Sequence, residues 1–324
     1  MGERMRINEL DAVAFRLQEL AREGRPVENR LPWLQAQWNL VDAAGLMAGF
    51  ADLCDAIHRA CTVAEQQVAL QSLTFTRGDG KSRTVRWSER ALDRVVEWWR
   101  AGDLHRVTVD VNSADMTAQA ELGIDLPWAF RADRMTVVQI VVWSAPQIAP
   151  IAEQLLQLIS ERSLQTQPVY GAITYDFGQG RQLPWEMWYG RDRGWELADQ
   201  IARGYYWANL LSQIHLDALG GLAQVVTDAD HAGMETIVLR EEPTRQLAWI
   251  RMPWLIDKVS DEHLAAMKTL LSPALPTVRY RHYRGHPLRV LKDPGDAYIV
   301  PAPGTKLTLF DRAGNPIPGT EWRG

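Results

Sequence analysis

The spacing of apolar residues changes along this chain, and the changes predict both strands and helices. Residues 135–143 are almost continuously apolar, which favours a strand in the middle of a sheet. Residues 105–111 alternate between polar and apolar side chains, which is typical of a half-buried strand. Strand, helix and strand follow one another over 83–111 and again over 135–177. The predicted fold class is therefore α+β, with a mainly antiparallel or mixed sheet and helices packed on one face.

Turn and cap residues mark the borders of several elements. Residues 78–80 (Gly-Asp-Gly) lie between two alternating runs and predict a hairpin. Ser88 predicts the N-cap of a helix that continues to Trp99. The strand predicted over 169–177 contains Gly171, and a glycine inside a strand indicates that another backbone comes close.

Three regions are predicted from composition and periodicity. Leucine and alanine recur at helical spacing near the N-terminus, so a helical N-terminal segment is expected there. A connection over 112–134 contains a Leu-Pro-Trp sequence and is predicted to be irregular. The predicted regions are a helical region over 1–72, an α+β core over 73–276 with halves 73–134 and 135–276, and a Pro/Gly-rich extension over 277–324 with a short hairpin.

The second half of the core combines aromatic residues with short elements. Residues 205–211 predict a strand, and Ser212 predicts the N-cap of a short helix over 213–219 that a Gly-Gly pair ends. Ser260 predicts the start of the last clear helix. The further predicted strands cover 222–226, 235–240 and 246–252.

Composition narrows the class of protein. The chain has 324 residues and a net charge of −5, which argues against a general nucleic-acid binder because that function needs a positive field. It has two cysteines, Cys54 and Cys61, and no apolar run long enough to span a bilayer. We therefore expect a cytoplasmic protein without a membrane segment.

The sequence predicts no cofactor, no metal site and no enzyme. It contains no nucleophile elbow, Walker loop or zinc-protease helix. Cys54, His58 and Cys61 would share one helix face, but a fourth metal ligand is missing, so a buried reduced cysteine pair is the favoured interpretation. His282 and His286 have a metal-pair spacing, but the glycine and proline beside them argue against a helix.

Two alternative functions remain open at the level of sequence. A hydrolase or transferase could assemble a dispersed site from Asp228, His231 and His215, with the first two in a predicted loop. A nucleic-acid-associated accessory protein could use a basic stripe in the C-terminal extension, although a solvated strand face explains the same pattern. The stripe consists of Arg279, Arg281, Arg284, Arg289 and Lys292.

The aromatic segment Arg203-Gly204-Tyr205-Tyr206-Trp207-Ala208-Asn209-Leu210-Leu211-Ser212, followed by Leu219-Gly220-Gly221, resembles bacterial immunity proteins associated with type VI secretion and polymorphic toxins. The resemblance covers residues 135–276 and includes a terminal helix that ends near Leu-Ser-Pro. It implies a non-enzymatic protein that binds and neutralises a cognate toxin in the cytoplasm of the producing cell. It implies no catalytic residues.

An inhibitor of this kind needs exposed aromatic anchors and complementary charge. The chain has 14 Trp against 6 Phe, and tryptophan is the residue most enriched at interface hot spots. The alternative is that these rings close the edge of the sheet as core. The predicted partner-binding residues are Trp185, Trp188, Tyr189, Trp195, Tyr206, Trp207, Arg279, Arg281 and Arg284.

Overall fold

A computed structural model describes most of the chain between residues 33 and 275. The described residues are 33–41, 43–62, 68–114, 119–127, 135–144, 147–176, 198–199, 202 and 204–275, with four two-residue strands beyond 281. The predicted helix before residue 24 and most of the aromatic loop lie outside these residues. One compact unit comprises 33–176 and 195–276. In the other unit, His282–Tyr283 pairs with His286–Pro287, and Lys306–Leu307 pairs with Trp322–Arg323.

The described part of the main unit contains ten strands and seven α-helices. The strands are β1 (Trp33–Leu40), β2 (Val68–Arg77), β3 (Ser82–Arg86), β4 (Leu104–Ser113), β5 (Gln119–Asp125), β6 (Thr136–Ser144), β7 (Pro168–Asp176), β8 (Ala208–Ser212), β9 (Glu235–Arg240) and β10 (Leu247–Arg251). The helices are α1 (Ala44–Ala48), α2 (Phe50–Cys61), α3 (Glu89–Arg100), α4 (Ile148–Gln165), α5 (Gln213–Ala218), α6 (Leu222–His231) and α7 (Asp261–Leu271).

All ten strands form a single antiparallel sheet, which confirms the predicted α+β class. The order of the strands is β3-β2-β4-β5-β6-β1-β7-β8-β10-β9. Strand β1 pairs with β6 on one side and with β7 on the other. The first described strand therefore lies near the middle of the sheet.

The main core lies between one face of the sheet and helices α2, α3 and α4, which contact β1, β2, β4, β5 and β7. Alternation along β1 sends Leu34, Ala36, Trp38 and Leu40 to this face, and all four side chains are buried. The amphipathic helix α2 buries Phe50 and its apolar neighbours against the same layer. Each large apolar side chain buried here contributes about 1.5–3 kcal/mol to stability.

Several predicted elements are confirmed. The Gly-Asp-Gly turn joins β2 to β3, and the strand predicted over 135–143 is the inner strand β6. The Ser88 hydroxyl accepts from the Ala91 amide at 3.2 Å and caps α3. Ser260 caps α7 and forms a capping box with His263.

Three local predictions are wrong. Residues 33–40 are a strand rather than a helix, because pairing with β6 and β7 outweighs the helical propensity of leucine and alanine. Residues 119–125, inside the connection predicted to be irregular, form β5. Residues 222–226 begin helix α6 rather than a strand. The domain boundaries proposed at 72 and 276 stay predictions, although strands on both sides of residue 72 belong to one sheet.

Candidate protein-binding surface

The face of the sheet turned away from α2, α3 and α4 is polar over strands β2 to β5 and at Gln139 of β6. Strand pairing places Thr74, Thr108, Gly123 and Gln139 side by side on this face, one residue from each strand. Parallel rows lie above and below them. We call this surface the polar face; its residues are Ser72, Thr74, Thr76, Ser82, Thr84, Arg86, Arg106, Thr108, Asp110, Glu121, Gly123, Asp125 and Gln139.

Hydroxyl groups on the outer strands of the polar face pair with one another. Thr74 and Thr84 lie 2.8 Å apart through their Oγ1 atoms, and the hydroxyls of Thr76 and Ser82 lie 2.8 Å apart. The Ser72 hydroxyl donates to the Asp110 carboxylate. These cross-strand pairs satisfy the side chains locally and keep this part of the surface ordered.

Charged groups of the polar face are concentrated on β4 and β5. Arg106 forms an ion pair with Asp125, at 3.6 Å between Nε and Oδ1. Glu121, directly opposite Asp110, has no hydrogen bond or ion pair among the described residues. Burial raises the pKa of the Glu121 carboxyl, Arg106 acts in the opposite direction, and the charges of Asp110 and Asp125 raise that pKa further.

Gly123 lies buried between these charges. A β-carbon built on it would find its nearest neighbours at 3.9 Å, which are an Arg106 guanidinium nitrogen, the Gln139 carbonyl oxygen and a Glu121 carboxylate oxygen. Its backbone is not in the left-handed region. Neither crowding nor backbone conformation therefore requires glycine at this position.

Buried polar groups continue the same face across β1. Gln35, Gln37 and Asn39 are buried, with exposed fractions of 5%, 3% and 0%. The Gln37 amide donates to Asn39 Oδ1 at 3.3 Å. Within the described part of the chain, Gln37 Oε1 and Asn39 Nδ2 have no hydrogen-bond partner. Unsatisfied buried amide groups are costly, so this row is a polar exception in a buried part of the sheet.

The two described aromatic residues among the predicted anchors are buried. Tyr206 and Trp207 are 3% and 2% exposed, and the Trp207 indole donates to the carbonyl oxygen of Trp254 at 2.8 Å. Asn209 bonds the backbone of Tyr206 through both ends of its amide. The prediction that these two rings are exposed anchors is therefore wrong, because they close the core beside β8.

The other predicted contact residues fall outside the described residues. They are Trp185, Trp188, Tyr189, Trp195, Arg279, Arg281 and Arg284. The aromatic loop and the basic stripe consequently stay predictions.

The residues of the hydrolase alternative have separate local contacts. Asp228 and His231 lie on helix α6 rather than in the predicted loop, and the Asp228 carboxylate accepts from Gln224 at 2.8 Å. His215, on α5, is fully buried; its Nδ1 lies 3.2 Å from the Ser212 hydroxyl and its ring lies against Tyr170. These contacts describe a helix surface and a packed core histidine.

The side chains of the predicted cysteine pair are buried, and those of His282 and His286 lie outside the described residues. Cys54 and Cys61 are free and buried, and burial raises the pKa of both thiols, to about 12 for Cys61. The His58 ring instead contacts the Val68 carbonyl oxygen at 2.7 Å. Among the described residues no cluster of three or more His, Cys, Asp or Glu could hold a metal ion. Over the same residues no helix has the length and apolar character needed to cross a membrane.

The sequence analysis does not identify Glu121 and Gly123, because it predicts an irregular connection where β5 lies. A signal was present: Ala120, Leu122 and Ile124 alternate with polar residues or glycine, which is the period of a half-buried strand. The proline at position 127 and the tryptophan after it obscured that short run.

Comparison with known proteins shows a likeness of fold. No family model matches the chain, and no curated protein sequence matches it. The solved structure titled "Pseudomonas aeruginosa T6SS protein PA0821" is similar, with a TM-score of 0.50 over 75% of this chain and 73% of that chain. The sequence identity is 13%, so the likeness shows a shared fold.

Proposed function

We propose that this chain is a cytoplasmic, non-enzymatic protein of a type VI secretion system that binds and neutralises a cognate toxin through the polar face. The observation that carries the proposal is Glu121. Its carboxylate is half-buried and has no ion-pair or hydrogen-bond partner among the described residues, in a surface that the main helical layer leaves uncovered. An unpaired carboxylate in such a place is stabilised by a charge that another protein brings.

Two further observations support this role. The fold resembles that of a T6SS protein, and the aromatic segment before α5 resembles immunity proteins of the same systems. An inhibitor of a toxin needs a rigid scaffold, and the ten-stranded sheet with its buried helical layer supplies one. The acidic residues of the polar face suit a basic partner, as does the net charge of −5.

The test is capture of the partner with matched charge variants. The full chain, tagged and expressed in its host, is purified at moderate salt, and bound proteins are identified by mass spectrometry. We expect one stoichiometric partner that inhibits growth when it is expressed alone. Glu121→Arg, on the polar face, should abolish capture and protection. Glu161→Arg, on the exposed side of α4, should leave both intact.

Circular dichroism and melting temperature establish that both variants are folded. Equal capture by the Glu121→Arg and wild-type proteins would place the contact on another surface. A well-expressed chain that captures no partner and protects against none would overturn the immunity proposal.

A further inference from the structure

We infer that the edge strand β9 is the interface of a homodimer. In this dimer β9 pairs antiparallel with β9 of a second copy of the chain, about a two-fold axis at Ile237, so that two ten-stranded sheets join into one. The inference goes beyond the proposed function and does not depend on it, because the polar face lies toward the opposite end of the sheet.

The two edge strands of the sheet differ in their chemistry. Strand β3, at one edge, has the sequence Ser-Arg-Thr-Val-Arg, and charged side chains on an edge oppose pairing with a further strand. Strand β9, at the other edge, pairs only with β10 among the described strands. Its central residues 237–239 are Ile-Val-Leu, and all three are partly exposed. An apolar edge of this kind is a template for another strand.

A β-bulge places the two charged ends of β9 on the same face. Glu235 lies opposite Arg251 of β10. Arg240 lies opposite Leu247, and Leu239 has no partner in this register. Because positions 247 and 251 of β10 share a face, the two charged residues of β9 share it as well. Without the extra residue, two positions five apart in a strand would point to opposite faces.

These two charges keep bonding capacity that a second copy can use. Glu235 accepts from Arg251 through Oε2 at 2.5 Å, which leaves Oε1 able to accept from another donor. Arg240 donates to the Leu164 carbonyl oxygen at 3.3 Å and forms no ion pair with a described residue. An antiparallel copy reverses the strand, so Glu235 of one chain meets Arg240 of the other at both ends of the interface.

The two-fold axis at Ile237 makes the whole strand complementary to itself. Ile237 lies opposite the same residue of the second copy, and Thr236 lies opposite Val238 of the second copy. Glu235 lies opposite the bulge that carries Arg240. Apolar residues therefore meet at the centre, and opposite charges meet at both ends.

A groove beside β9 is a second, independent observation that favours this pairing. The groove lies between α6 and β9, and its lining includes Val226, Met234 and Thr236. Val226 is 40% exposed, and the buried Thr236 hydroxyl has no partner among the described residues. Val238 of the second copy lies next to Thr236 in this register and covers the groove. The second chain therefore buries apolar surface in addition to pairing the backbone.

Sedimentation velocity of the full chain tests the inference directly. We expect a concentration-dependent dimer with twice the chain mass of 36.7 kDa. Val238→Lys places a charge near the centre of the interface and should weaken the dimer by about tenfold or more. Circular dichroism and melting temperature establish that this variant and those below are folded.

Exchange of the two charges tests the pairing at the ends. Arg240→Glu opposes Glu235 of the second copy and should weaken the dimer by about tenfold. The double variant Glu235→Arg with Arg240→Glu forms the pair again with its sign reversed and should recover most of that loss. Arg245→Glu makes the same charge change in the exposed turn after β9 and should dimerise like the wild type.

Ile237→Cys reports the register. The two introduced thiols face each other across the axis, so mild oxidation of the folded protein should give a covalent dimer on a non-reducing gel. The wild type should give none, because Cys54 and Cys61 are buried. Arg245→Cys, in the turn, is the matched control and should also give none.

A chain that stays monomeric up to about 100 μM would overturn the inference, whether another segment of the chain or another protein covers β9. A dimer that Val238→Lys leaves unchanged and that Ile237→Cys does not link uses another surface, and this result would overturn it too. Glu121→Arg should dimerise like the wild type. A dimer that captures no toxin would therefore contradict the proposed function alone, and a monomer that captures one would contradict this inference alone.

Discussion

The two faces of the ten-stranded sheet come from the same strands but differ in the contacts that their side chains make. On the helical face, Trp38 is fully buried, and the Trp249 indole donates to the Ser160 hydroxyl of α4 at 2.9 Å. On the polar face, side chains of the outer strands pair with one another and remain partly exposed. One face is a hydrophobic core, and the other is a half-satisfied polar surface that we assign to recognition.

This difference indicates that the helical face supplies most of the stability, and that the polar face can be changed with little effect on folding. A substitution on the helical face removes packing from the core between the sheet and its helices, and therefore lowers the free energy of unfolding. A substitution on the polar face changes charge or shape at little cost to folding. The predictions below test that separation, beginning with the largest effect.

Trp38→Ala should cost about 3–5 kcal/mol of unfolding free energy, because it leaves a cavity among buried side chains of the helical face. Thr84→Ala, on the exposed edge strand β3, removes one hydroxyl pair and should cost less than about 1 kcal/mol. Urea unfolding followed by circular dichroism measures both. Equal losses would contradict the separation of the two faces.

Two glycines provide a matched pair. A β-carbon at Gly171, which lies beside Trp38 on the helical face, would meet the Gln37 carbonyl oxygen and Leu210 Cβ at 3.1 Å each. Gly171→Ala should therefore destabilise by roughly 1–3 kcal/mol. A β-carbon at Gly123 would have its nearest neighbours at 3.9 Å, which is ordinary van der Waals contact, so Gly123→Ala should stabilise by about 0.5–1 kcal/mol. Thermal unfolding gives both signs, and a destabilised Gly123→Ala would mean that the surroundings of Gly123 do not accommodate a methyl group.

Two arginines compare the ion pairs of the faces. On the helical side, Arg251 binds Glu153 of α4 at 2.6 Å and Glu235 of β9 at 2.5 Å, and its side chain is largely buried. Arg251→Ala should cost about 1–2 kcal/mol, because it leaves two carboxylates without their partner and the Trp207 ring without its cation.

The matched variant is Arg106→Ala on the polar face. Its pair with Asp125 is longer and more exposed, so the loss should stay below about 1 kcal/mol. Unfolding in urea measures both losses, because urea is uncharged and does not screen the ion pairs as guanidinium chloride would. A larger loss of unfolding free energy for Arg106→Ala than for Arg251→Ala would contradict the prediction that the helical face contributes more to stability.

The smallest effect concerns pH. The pKa of Glu121 is raised in the folded chain, mainly by burial, so the folded state favours its protonated form. The stabilising contribution of the protonated Glu121 carboxyl to the free energy of unfolding is present below the ordinary pKa of 4.5. It is lost as pH rises through the raised pKa. Glu121→Gln should remove this loss and raise the melting temperature at neutral pH relative to the wild type.

Asp103 is the control, because its pKa is shifted in the opposite direction to that of Glu121. The Arg77 side chain and the Gly78 amide lower the pKa of its carboxyl, so its contribution is present above the ordinary pKa of 3.8 and is lost as pH falls through the lowered value. Asp103→Asn should therefore lower the melting temperature at neutral pH, and the difference should shrink in acid. A wild-type profile unchanged by Glu121→Gln would show that this carboxylate is solvated like a surface group.

Much of the fold was predictable where a local pattern was strong. The continuous apolar run of β6, the glycine turn between β2 and β3 and the serine caps at Ser88 and Ser260 each contain their own signal within about ten residues. The strand β1 was not predictable in this way. Its leucine, alanine and tryptophan residues also fit a helix, and only the neighbouring strands on both sides decide between the two.

The candidate site was less predictable than the fold. Aromatic residues are common at interfaces and also in cores, so the sequence alone does not decide between the two. Tyr206 and Trp207 are buried in the core. Glu121 and Gly123 are ordinary residues in a sequence. Their meaning depends on Arg106, Gln139 and Gln37, which come from three other strands.

The sequence by itself determined the class of the fold, the capped helices, the inner strand β6 and the buried cysteine pair, because these depend on local periodicity and composition. Only the tertiary structure decided that β1 lies at the middle of the sheet and that one face is left polar. It alone brought the Glu121 carboxylate, Gly123 and the buried Gln37 amide onto one face. The physical reason is that cross-strand pairing joins residues far apart in the chain, and no local pattern contains that register.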